Sequence, residues 1–147
     1  MEVREYRRED GYSISTDKSR LDLNVIHGYL SGDSYWAAGR SWETVERSVE
    51  HSLCFDLYDL AGRQAGFARV ITDFATFGWL CDVFVLEKHR GRGLGKWLVQ
   101  TVAAFPALQG VKRLQLATRD AHELYKRYAD FTPLAAPDVW MERVQEK

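Results

Sequence analysis

The sequence predicts a single-domain α/β (α+β) protein: a three-layer fold with a mixed, mainly antiparallel sheet and helices on both faces. Three observations predict it. Apolar residues recur at helical spacing before residue 50 and again after residue 93, with alternating stretches between them. Those stretches, from Leu53 to Leu86, are joined by short turns, as antiparallel neighbours are. The third of them is apolar on both faces, as expected of a central strand covered on both sides.

The elements follow in order. Tyr12–Thr16 alternates and reads as a strand. Val25, Ile26, Tyr29 and Leu30 share a helical face, and Ser31-Gly32-Asp33 closes that helix. Ser41 is the N-cap of a second helix with Trp42, Val45 and Val49 on one side. Leu53–Tyr58, Gln64–Thr72 and Trp79–Leu86 are strands, with Ala61-Gly62-Arg63 and Asp73–Gly78 as turns. Leu94, Trp97, Leu98, Val102 and Phe105 define a helix stopped by Pro106, and Arg113–Ala117 is a short strand. Asp120 and Glu123 form a capping box for a helix through Leu124, Tyr125 and Tyr128. Phe131 and Asp138–Val144 are expected to return to the sheet.

Composition narrows the class. The 147 residues carry a net charge of −1, with 28% charged and 46% apolar residues, which excludes a disordered chain and argues against a polyanion-coating protein. Residues 1–147 show no linker or repeat and read as one domain. Cys54 and Cys81 form neither a disulfide framework nor a zinc pair, and no metal site is expected. The charged N-terminal stretch is no secretory signal, and no apolar run has the ~18 residues of a membrane span. A cytoplasmic protein without membrane or nucleic-acid partners is expected.

Near-neutrality conceals one basic spot. Lys88, Arg90, Arg92 and Lys96 lie together, without an acid, around Gly91, Gly93 and Gly95, between an apolar strand and an amphipathic helix. Glycines let a ligand approach the backbone closely, and a helix N-terminus offers unpaired N–H groups and a partial positive charge. This suits a phosphate or pyrophosphate. A Walker loop is excluded by Arg90 and Trp97, and the G-x-G-x-G spacing is not the dinucleotide fingerprint. A basic strand-to-helix corner without a ligand is the other reading of the same residues.

The pattern Arg90-x-x-Gly93-x-Gly95 after the strand Val83-Phe84-Val85-Leu86 resembles the signature of the GNAT superfamily of N-acetyltransferases. Ala121-His122-Glu123-Leu124-Tyr125 is similar to that family's Ala-x-x-Leu-Tyr segment, and the element order agrees from Tyr12 to Val144. The resemblance implies acetyl-CoA as cosubstrate, its pyrophosphate on the backbone of Arg90, Gly91, Arg92, Gly93, Leu94, Gly95 and Lys96. It also implies that the strand at Phe84 and Val85 pairs with the pantetheine arm, and that a backbone N–H near Val85 polarises the thioester. Tyr125 falls on the family's general-acid tyrosine. Two positions depart from the pattern. Thr118 stands where an asparagine often contacts the cofactor. Tyr128-Ala129-Asp130-Phe131 is one residue longer than the family's ending and lacks its glycine.

Acetyl transfer to an amine needs a neutral amine, a stabilised oxyanion and protonation of the leaving thiolate. A tyrosine with a reference pKa near 10 can donate to a thiolate whose thiol has a pKa near 8.5. Without the resemblance, Tyr125 reads as a core tyrosine beside Leu124. Asp82 is the candidate base: alternation puts it on one face with Leu80, Phe84 and Leu86, where burial would raise its pKa. An acid bonded to a neighbouring strand or to Arg69 is the equal alternative. Asp73 reads as a turn former, and His122 as a weaker base candidate. Tyr35, Trp36 and Arg40, in the loop between the first two helices, are the candidate substrate-binding residues. The expected activity is direct transfer from acetyl-CoA to a primary amine of a small molecule, with a non-catalytic acyl-CoA sensor as the alternative. The acceptor is left open, as is the assembly state, a homodimer being one option.

Overall fold

A computed structural model of the chain describes residues 2–145. Six strands form one sheet in sequential order: β1 (Glu5–Arg7), β2 (Ser13–Ser15), β3 (Leu53–Tyr58), β4 (Gln64–Thr72), β5 (Phe77–Val85) and β6 (Arg113–Gln115). Neighbours are antiparallel except β5 and β6, which are parallel. Parallel strands need a crossover, and α3 (Leu94–Ala104) supplies it. α1 (Leu23–Gly28) and α2 (Trp42–Glu50) cover one face around Ile26, Leu30, Val45, Phe67 and Phe84. On the opposite face α3 and α4 (His122–Ala129) pack around Phe55, Leu57, Leu80, Leu98 and Phe105. The mixed α/β class and the helices on both faces match the expectation.

Local chemistry accounts for the helix ends. Asp22 accepts from the N–H groups of Asn24 and Val25 to start α1. Ser41 accepts from the N–H of Thr44 to start α2, and Lys18 Nζ donates to the carbonyls of Val49, Glu50 and Ser52 at its end. α1 widens into a π turn at Tyr29–Asp33. Ser34 Oγ then donates to the Leu30 carbonyl and accepts from the Ala37 N–H, fixing the loop that carries Tyr35 and Trp36.

Four expectations need correction. β1 was not expected: Glu5-Tyr6-Arg7 shows no apolar alternation, and charged side chains suit an edge strand. Neither Phe131 nor Asp138–Val144 joins the sheet. Pro137 opens a 3-10 turn at Pro137–Val139, and Val139, Met141 and Val144 are exposed. The capping box at Asp120 and Glu123 does not form either; the N-cap is Ala121, whose N–H donates to Thr118 Oγ1 at 3.1 Å.

The fourth correction concerns β5. Arg69 pairs with Cys81 and Phe67 with Phe84, so two steps along β4 face three along β5. The extra residue is accommodated at Asp82, whose φ of 53° is left-handed. The bulge reverses the alternation. Leu80 belongs to the α3/α4 core and Phe84 to the α1/α2 core, so Asp82 does not share one face with both.

Candidate active site

β5 and β6 pair only from Phe77 to Trp79 and from Arg113 to Gln115. Beyond that point a cavity of about 520 Å³ opens between the bulge of β5 and the segment Ala117–Ala121. Tyr125, Asp82, Tyr35, Trp36, Arg40 and Thr118 all line it, although they are scattered over 91 positions of the sequence. Phe84 and Val85 are not among its lining residues. Phe84 is buried and stacked on Tyr29 at 4.2 Å, and the Val85 carbonyl accepts from Arg90 Nε at 2.9 Å.

Tyr125 is 8% exposed, and burial pushes its hydroxyl up to about 12. It therefore stays protonated across the neutral range, with an O–H that can donate a hydrogen bond. Phe131 packs edge-on against its ring at 5.8 Å and donates its N–H to the Tyr125 carbonyl. The turn that permits this contact has Asp130 at φ 58°. Aspartate is among the few non-glycine residues that enter this region readily, so the chain turns without the family's glycine.

Asp82 is buried and fully engaged. Its Oδ1 accepts from Trp36 Nε1 at 2.9 Å, and its Oδ2 from Arg40 Nη1 and Arg69 Nε, each at 2.9 Å. Arg69 Nη2 also lies 2.9 Å from Oδ2. A carboxylate whose two oxygens already accept from an indole N–H and two guanidinium groups suits an anchor better than a proton acceptor. Asp73 likewise serves a turn: it accepts from the N–H groups of Ala75, Thr76 and Phe77. These hydrogen bonds, together with that from the Thr76 hydroxyl, hold its carboxyl well below the usual range. His122 is exposed and outside the cavity lining.

Cys81 also lines the cavity, and burial pushes its thiol up to about 11. It is a thiol rather than a thiolate at neutral pH, and so a poor nucleophile.

The glycine-rich turn fits an anion. Gly91 and Gly93 have φ of 82° and 73°, and Gly93 is the N-cap of α3. The first intrahelical bond runs from Trp97 N–H to the Gly93 carbonyl, which leaves the N–H groups of Leu94, Gly95 and Lys96 without helical partners. A Cβ at Gly95 would meet only Val85 Cγ2, at 4.0 Å. The side chains of the turn are less available than their charges suggest. Arg90 folds back onto the Val85 carbonyl and the Tyr29 hydroxyl, and Lys96 Nζ sits 4.6 Å from the Tyr128 ring centroid. For an anion, the backbone N–H groups at the start of α3 are therefore more available than these side chains, with exposed Lys88 and Arg92 beside them.

Sequence reasoning missed the residues that hold this turn. Arg8 donates to the Arg92 carbonyl at 3.1 Å, and the Tyr12 hydroxyl lies 2.8 Å from His89 Nδ1 in a buried contact. Both come from the β1–β2 hairpin, more than 75 positions away, and no local pattern marks them. Arg119, with its guanidinium 3.7 Å from the centroid of the Tyr35 ring, was missed for the same reason.

A strand–glycine turn–helix unit leading to a parallel strand, beside an open wedge in a mostly antiparallel sheet, defines the fold of an acetyltransferase. The chain belongs to the acetyltransferase (GNAT) family, whose sequence pattern matches residues 21–131. A Gibberella zeae protein that carries an acetyltransferase name is 32% identical over 157 residues, covering 88% of each chain. The crystal structure of a GNAT-family protein from Xanthomonas campestris pv. campestris superposes with a TM-score of 0.87 at 51% identity, covering 91% of this chain and 93% of the other. A Streptococcus pneumoniae GNAT-family protein shares the fold at 19% identity and a TM-score of 0.64, covering 99% of this chain and 97% of its own. Among the described residues no helix is long and apolar enough to cross a membrane.

Proposed function

We propose that this acetyltransferase moves the acetyl group of acetyl-CoA to a primary amine of a small molecule by direct attack in a ternary complex. The observation that carries the reading is a cavity lined together by Tyr125, the bulge of β5 and the Tyr35–Arg40 loop. The family uses acetyl-CoA, and the fit rests on the partner-free N–H groups at the start of α3 and the two left-handed glycines before them. When bound, acetyl-CoA supplies an activated thioester.

The chain's own groups do the rest. The N–H groups of Leu94, Gly95 and Lys96 hold the pyrophosphate. Thr118 Oγ1 accepts from the Ala121 N–H with one of its two lone pairs and keeps its O–H for the ligand. The Tyr125 hydroxyl donates to the departing sulfur. With its pKa raised by burial, it stabilises the thiolate by a hydrogen bond, and the proton released by the attacking amine neutralises that thiolate in balance. Cys81, held as a thiol, supports direct attack over an acetyl-enzyme route.

The test is thiol release when the protein is incubated with acetyl-CoA and a panel of amines. Acetyl-CoA binding with no turnover on any amine overturns the reading.

A further inference from the structure

The cavity wall has an uneven charge balance. Asp82 is one carboxylate facing two guanidinium groups, Arg40 and Arg69. Arg69 is nearly spent: two of its nitrogens contact Asp82 and a third donates to Ser52 Oγ at 3.0 Å, with its side chain 9% exposed. Arg40 is not spent. Its side chain is 23% exposed and lines the cavity, and among the described residues only Nη1 has a hydrogen-bond partner. One surplus positive charge therefore sits on the wall, with Nε and Nη2 of Arg40 left to donate. Arg119 and Asp120 also line the cavity and carry opposite charges, so the surplus stays at one.

We propose that the acceptor is a small amine bearing one carboxylate, an amino acid or a close analogue, and that Arg40 receives that carboxylate. This rests on the acetyl-transfer reading above and names its substrate class. A guanidinium edge with two free donors matches a carboxylate, and a single surplus charge matches a monoanion rather than a dianionic phosphate. The same surplus disfavours a second cation nearby, so it helps the acceptor amine lose its proton without a dedicated base. The indole of Trp36, fixed by its bond to Asp82, walls the side of the acceptor between carboxylate and amine.

The experiment compares matched triplets: a free amino acid, its carboxamide and its decarboxylated amine, with phosphoethanolamine as a dianionic control. Thiol release from acetyl-CoA is followed with the full chain. The free carboxylate is expected to exceed its carboxamide in kcat/KM by about 10-fold or more, as befits a charge-assisted hydrogen bond. Arg40→Gln should abolish that preference mainly through KM, and Arg40→Lys should keep part of it. Calorimetric titration of the same ligands gives a readout independent of turnover, and circular dichroism checks that the variants fold. Equal or better use of the carboxamide, amine or phosphate compound overturns the proposal while leaving acetyl transfer standing. So does an Arg40→Gln protein with its preference intact. If no amine releases thiol, the acetyl-transfer reading fails instead. Calorimetry then decides the site: carboxylate-selective binding lost in Arg40→Gln supports it, and unselective binding overturns it.

Discussion

Replacing Asp82 by asparagine separates the two roles open to this residue. Asparagine keeps the volume, tolerates φ 53° and retains an oxygen for Trp36 Nε1, so neither backbone strain nor a cavity is added. What it removes is the charge facing Arg40 and Arg69. Breaking a buried ion pair costs about 3–5 kcal/mol, because the partner is left buried and uncompensated. Arg40 is partly exposed, which places the expected loss near the lower bound, about 3 kcal/mol. For a chain of this size each kcal/mol lowers Tm by about 2–4 °C, so the shift should be about 6–12 °C. Urea unfolding followed by circular dichroism measures it. If Asp82 anchors the two arginines, the variant should also show a raised KM for the amine while the acid limb of the pH profile of kcat/KM persists. A stability loss under about 0.5 kcal/mol, the size of an ordinary surface change, would refute the buried-cluster argument. Disappearance of the acid limb would return Asp82 to the role of general base.

Other outcomes follow from the same structure. Tyr125→Phe should lower kcat by about 10²-fold with acetyl-CoA affinity unchanged; calorimetry and steady-state rates check both halves. Gly93→Asp places a residue that tolerates φ 73°, and its Cβ would meet only Arg8 Nη1, at an ordinary contact distance of 3.9 Å, so the protein should fold, yet the added charge should weaken acetyl-CoA binding about 10-fold or more. An unchanged Kd would remove the pyrophosphate from this turn. Asp56 is completely buried, and desolvation pushes its carboxyl up to about 7. Its folded pKa lies above its unfolded value near 3.8. The neutral carboxyl is therefore tolerated below about pH 4, and stability is lost as pH rises toward 7, by up to about 4 kcal/mol. Asp56→Asn should flatten that decline, seen as urea midpoints that converge with wild type at pH 4 and exceed it at pH 7.

Much of the fold was legible because burial imposes a period. Val45 and Val49 lie one helical turn apart, and Leu53, Phe55 and Leu57 alternate, so each pattern marks a buried face without reference to any partner. The glycine turn was legible for a local reason too: its shape is carried by backbone conformations that Gly91 and Gly93 adopt at little cost. Candidate residues for the cavity could likewise be named from residue type and motif.

Tertiary structure decided how those residues meet. Period-2 reading assigns Asp82 a face, but one inserted residue at a bulge reverses the faces of β5, and the bulge is fixed by pairing with β4. The same displacement gives Asp82 to Arg69 and Arg40, from β4 and from the loop before α2, and so sets the charge of the cavity wall. The β1–β2 hairpin reaches the glycine turn through Arg8 and Tyr12 only after the chain has closed on itself. Local spacing encodes most of the elements, the layers and the glycine-rich turn, and these were legible before any contact was known. Which charges face one another, and with what surplus, was decided by contacts between residues tens of positions apart, which no local period records.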